Sequence, residues 1–156
     1  MLLPIFTNPD PILRKKALEI KPADLLTDEM QSFCFNMSET MAERDGVGLA
    51  APQVGKSIRL IVINTKDGPL CMINPEITKT SWAKEWDTEG CLSLPGIYGD
   101  VKRHKKITCD YLDRTGKKQR LEANGLMARV IQHETDHLDG ILFIDKAKRI
   151  EEHEVL

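Results

Sequence analysis

Apolar residues recur at helical spacing early in the chain. Met30, Phe33, Cys34, Met37 and Met41 share one stripe, which predicts a helix over residues 27–45. Thr27 suits its cap, Asp28 and Glu29 suit the positive end of its dipole, and Gly46 can end it. Before it, Asp10-Pro11 opens a short helical or turn segment to about residue 18. The middle changes period. Residues 58–63 are rich in β-branched side chains, 66–69 read as a turn and 70–73 as a second strand, giving a hairpin. Ile107, Cys109 and Tyr111 alternate with polar neighbours, and Asp113-Arg114-Thr115-Gly116 turns the chain into a strand over 118–122. A second helix is expected from the Asn124 cap to residue 138 or 139, with Gly140 as its left-handed terminator. A short apolar run follows at 141–144, and the charged tail 145–154 is expected to be helical. Helices at both ends with strands between predict an α+β fold. Antiparallel or mixed sheets would pack around a central helix, with N-terminal and C-terminal helices outside. Nothing repeats and no linker stands out, so one domain over residues 1–156 is expected.

Composition narrows the class. With 41% hydrophobic and 29% charged residues, the chain can bury a core. Its 22 basic and 24 acidic side chains leave a net charge of −2, which argues against avid nucleic-acid binding. No apolar run approaches the roughly 20 residues of a membrane span, and the first residues lack a signal-peptide pattern. A cytoplasmic protein with reduced thiols is expected. Cys34, Cys71 and Cys109 fall on apolar faces and read as packing.

The second helix carries His133-Glu134-Thr135-Asp136-His137. Histidines at i and i+4 project from one helix face and can share a metal ion, with the intervening glutamate placed as general base. Leu126 and Val130 continue the same stripe, so the histidines face an apolar interior and need partners there. A catalytic site needs a third protein ligand. The elongated three-histidine motif would put it at position 143, which is Phe143. Downstream, only Glu151, Glu152 and Glu154 remain, which weakens the zinc-peptidase reading. His104 lies among Lys102, Arg103, Lys105 and Lys106 and reads as part of a solvated basic stretch. Cys91 differs from the other thiols: it sits in Glu89-Gly90-Cys91-Leu92-Ser93-Leu94-Pro95-Gly96, where glycine permits close backbone approach. A third segment, Gly46-Val47-Gly48-Leu49-Ala50-Ala51-Pro52-Gln53, is rich in small residues and lacks the lysine of a phosphate loop.

Together these three segments resemble the peptide deformylase family nearly verbatim and in order. The resemblance extends to Asn8-Pro9-Asp10-Pro11 and Ile73-Asn74-Pro75. It implies that Cys91, His133 and His137 bind one divalent metal, with water in the fourth position. Fe2+ is the ion expected in the cell, and Zn2+ or Ni2+ can occupy such a site. It implies Glu134 as general base and acid, with Gln53 and the Leu92 N–H steadying the oxyanion. Gly48 would offer its backbone to an extended peptide, and Val47, Leu126 and Val130 would wall the methionine pocket. The implied reaction removes N-formyl from the first methionine of new polypeptides and releases formate. A monomer in a bacterial-type cytoplasm is expected, touching the ribosome transiently, with no membrane and no strong nucleic-acid partner. The family also pairs an acid and a base here, giving Glu89–Arg103. Two features stand apart. Gly96-Ile97-Tyr98-Gly99 replaces a loop that is basic in many relatives, and Trp82 and Trp86 are candidates for the rim of the entrance.

Overall fold

The computed structural model describes residues 1–155. A 3-10 turn at Pro11–Arg14, capped by Asp10, and a short helix α1 (Pro22–Leu25) precede the long helix α2 (Asp28–Glu43). The Thr27 side chain accepts from the Met30 N–H, as its sequence position predicts. Strand β1 (Gly48–Ala50) leads into a 3-10 turn at Ala51–Val54 that holds Gln53. Strands β2 (Leu60–Thr65) and β3 (Gly68–Thr80) form the expected hairpin. The second strand outruns its apolar segment because it continues past Pro75, through irregular register, against β6 (Lys106–Leu112). Strand β7 (Lys118–Asn124) completes a five-stranded antiparallel sheet in the order β1-β2-β3-β6-β7.

Strands β4 (Lys84–Cys91) and β5 (Leu94–His104) pair in a smaller sheet that the hydrophobic pattern does not reveal. Its inward face carries charge where an apolar residue would mark burial: Glu89 and Arg103 are both buried. Arg103 therefore does not belong to a solvated basic stretch, and His104 is half-buried, its Nδ1 2.7 Å from the Ser81 carbonyl oxygen.

The tail corrects a second expectation. There is no C-terminal helix among the described residues beyond a 3-10 turn at Phe143–Asp145. Strand β8 (Lys148–Glu152) instead adds to the free edge of β5. The segment has no apolar stripe to bury as a helix, whereas the β5 edge offers backbone partners.

Helix α3 (Gly125–Leu138) lies between the two sheets, touching β1 and β2 on one side and β5 on the other. Asn124 precedes it as expected but makes no side-chain cap, being held as the last residue of β7 opposite Lys106. Gly140 ends the helix segment in the left-handed conformation. Helix α2 covers the other face of the large sheet, where Met37, Met41, Leu60 and Ile73 share one core cluster. Cys34, Cys71 and Cys109 are buried in the cores, as their apolar faces predict.

Candidate metal centre and cleft

Three elements meet at the seam between the sheets. Helix α3 brings His133 and His137, the end of β4 brings Cys91, and the turn after β1 brings Gln53. One ligand atom from each of Cys91, His133 and His137 lies within 4.8 Å of the others. Cys91 Sγ is 3.3 Å from His137 Nε2. A tetrahedral ion bound to sulfur and imidazole at ordinary lengths needs donors about 3.5 Å apart. The donor set of one thiol and two imidazoles suits Fe2+, Zn2+ or Ni2+ rather than Mg2+ or Ca2+.

His133 Nδ1 is 2.8 Å from Glu89 Oε1, so the other ring nitrogen is left for the cluster. Burial works against charge on this ring. Its hydrogen bonds to Cys91 and Glu89 outweigh that and push its pKa up to about 10. Burial and the neighbouring His133 hold His137 well below the usual histidine range, keeping its ring neutral. Its Nδ1 is buried without a partner. Phe143, at the position where a third histidine would stand, stacks on the His133 ring at 6.1 Å between centroids.

Glu89 organises the surroundings. Arg103 donates to both of its oxygens at 2.9 Å, and Arg129 Nη1 donates to Oε2 at 2.7 Å. Burial raises the Glu89 pKa, but the Arg103 and His133 hydrogen bonds win and hold it far below the usual carboxylate range. Arg103 reaches Asp136 on the far side at 2.6 Å, and Lys146 follows at 2.9 Å. The Glu89–Arg103 pair agrees with the family pattern. Arg129 was not singled out in the sequence, although a cation four residues before His133 on a buried face was its available signal.

Glu134 is fully buried beside the donors, with Oε1 3.9 Å from His133 Nε2 and Oε2 without a partner. Burial pushes its carboxyl up to about 7. Gln53 Nε2 lies 3.4 Å from Cys91 Sγ and 3.1 Å from Ser93 Oγ, while its Oε1 accepts from the Ala50 N–H. Gly48 must be glycine here: a Cβ would come within 2.7 Å of Val130 and 2.8 Å of Glu134 Oε1.

These groups open into a cleft of about 550 Å3. Val47, Gly48, Leu126 and Val130 line it with Gln53, Leu92 and Glu134, so the predicted residues converge. Tyr98 also lines it, its ring edge-on to His153. Trp82 and Trp86 do not: Trp82 is 98% exposed elsewhere, and Trp86 carries Lys148 over its ring. The sequence reading also missed Val155 in the cleft wall.

Known proteins are similar over nearly the whole chain. The polypeptide deformylase family matches residues 2–153. A peptide deformylase of Halothermothrix orenii is 52% identical over 145 residues, covering 92% of each chain. The crystal structure of peptide deformylase from Thermotoga maritima superposes with a TM-score of 0.90 at 40% identity, covering 95% of this chain and 99% of that one. A Met-Ala-Ser-bound class I type b peptide deformylase from Acinetobacter baumannii gives a TM-score of 0.90 at 35% identity, covering 94% and 98%. With family match, close relatives and superposable structures all in agreement, the chain belongs to the polypeptide deformylase family.

Proposed function

We propose that the chain hydrolyses the formyl group from the first methionine of new polypeptides, with Cys91, His133 and His137 holding one divalent metal ion. The observation that carries this reading is the grouping of those three donors beside a cleft that Cys91, His133, Glu134 and Gln53 line. When bound, such an ion polarises a carbonyl and lowers the pKa of water toward about 7. Glu134 supplies the proton traffic. A buried carboxyl poised near neutral pH accepts a proton from the attacking water and returns it to the leaving amine. Gln53 Nε2 and the Leu92 N–H donate to the oxyanion as charge develops on the formyl oxygen.

The peptide is held by the same walls. Gly48 begins β1, an edge strand of the large sheet, so an extended substrate can add beside β1. Val47, Leu126 and Val130 receive the methionine side chain, and the half-exposed state of Val47 and Leu126 fits a wall awaiting a ligand. The relative with bound Met-Ala-Ser supports a peptide with residues beyond the methionine in this cleft. Fe2+ is the ion expected in the cell. The reading further makes residues 1–156 one catalytic domain, acting as a monomer in a bacterial-type cytoplasm and touching the ribosome only transiently. No helix among the described residues is long and apolar enough to cross a membrane.

The test is formate release from formyl-Met-Ala-Ser by protein loaded anaerobically with Fe2+, beside the unblocked peptide. Release of formate with the unblocked peptide left intact is the expected result. Cleavage of the unblocked peptide without formate would make the site a peptidase and overturn the reading.

A further inference from the structure

Among the described residues, twelve large hydrophobic side chains are exposed, and four of them gather at this one cleft. Val47, Leu126 and Tyr98 belong to β1 and its approach, to α3 and to β5. The fourth, Val155, comes from the tail beyond β8 and is 69% exposed. It lies outside the stretch that matches the family, which ends at residue 153. Apolar side chains scattered singly over a surface need no explanation, but a cluster rimming a cleft marks a binding surface.

The tail is guided to that place. The His153 N–H donates to the Gly96 carbonyl at 2.6 Å, and the Tyr98 and His153 rings meet edge to face with centroids 5.5 Å apart. Gly96 has φ +75, and a Cβ there would collide with the His153 carbonyl oxygen and stand 2.9 Å from Val155 Cγ2. The glycine in this loop therefore serves the tail. Only a residue without a side chain lets residues 153–155 lie across β5 and set Val155 beside Ile97 in the cleft wall.

We propose that Val155 is a specificity-determining residue that contacts the side chain of the residue after the methionine. The inference rests on the deformylase reading. A cleft of about 550 Å3 is larger than one residue fills. An extended peptide turns successive side chains to opposite sides. With the methionine on the α3 wall of Leu126 and Val130, the next side chain faces the wall of Ile97 and Val155. That wall is apolar, so it favours an apolar second residue.

The experiment compares formyl-Met-Leu-Ser with formyl-Met-Gly-Ser on Fe2+-loaded protein. Wild type is expected to prefer the leucine peptide. Val155→Ser should raise KM for the leucine peptide about three- to tenfold and lower the ratio of kcat/KM between the two peptides by the same factor. Val155→Ile should keep the preference. Gly96→Ala, which displaces the tail while leaving valine at position 155, should lower the ratio as Val155→Ser does. An unchanged ratio in Val155→Ser overturns the proposal. So does an equal loss on both peptides, which is what a distorted fold gives. Wild type that releases no formate from either peptide overturns the deformylase reading and this inference together, whereas active wild type with an unaltered ratio overturns this inference alone.

Discussion

Glu134 and Glu89 are both buried glutamates near the same imidazole, yet their surroundings assign them opposite tasks. Glu134 has no cationic hydrogen-bond partner, and burial pushes it up to about 7. Glu89 accepts from two guanidinium groups and stays charged. Glu134→Gln keeps the shape and removes the exchangeable proton. It should lower formate release by about 100-fold or more, while metal analysis shows the ion still bound. Full activity in that variant would exclude Glu134 as the base. Glu89→Gln should act differently. With the charge behind His133 removed, metal affinity is expected to fall about 10–100-fold, as read by competition with a chelator of known strength. An unchanged affinity would separate Glu89 from the metal centre.

At the scale of elements, the β4–β5 hairpin depends on charge where most hairpins depend on apolar contact. Removing one partner of a buried pair strands the other, so Arg103→Met should cost about 3–5 kcal/mol in a denaturant melt at pH 7. The same pair fixes a pH response. Glu89 is held below its ordinary value in the folded protein, so its stabilising contribution is present in full at neutral pH. It begins to be lost as pH falls through about 4.5, where the unfolded carboxyl takes up a proton, and the loss continues downward. Thermal melts from pH 7 to pH 3 should show a steeper decline in wild type than in Glu89→Gln; parallel declines would remove Glu89 as the cause. This hairpin is also where sequence reading stops. The helices of residues 28–43 and 125–138 were legible because methionine, leucine and histidine repeat at their period. The β2–β3 hairpin was legible from its β-branched run. In β4 the one buried position is Glu89, which no hydrophobic pattern can mark as an inner face. The tail was misread for a related reason: a run of lysine, arginine and glutamate is helix-prone alone, but the open β5 edge decides its state. The candidate metal ligands were legible from spacing on α3 and from family likeness at Cys91. Arg129 and Val155 were not, because their partners are distant in the chain.

At the scale of the whole molecule, the proposed metal ligands tie α3 to the smaller sheet, while Gly48 and Gln53 bring the larger sheet to the same point. An ion that binds only the folded arrangement stabilises it by mass action. Stripping it with a chelator should therefore abolish formate release and lower the melting temperature by on the order of 10 °C for a chain this size. Identical melts with and without chelator would mean that the centre contributes nothing to the fold. The distribution of sulfur has its own consequence. Three of the four cysteines are enclosed in the cores, and Cys91 is the half-buried one that faces the cleft. An alkylating reagent should thus consume one thiol in the folded, metal-free protein and four after unfolding. Peroxide meets the same choice: the sulfur it finds beside the cleft is Cys91, and if that thiol holds the metal as proposed, its oxidation would cost activity together with the stability the ion supplies.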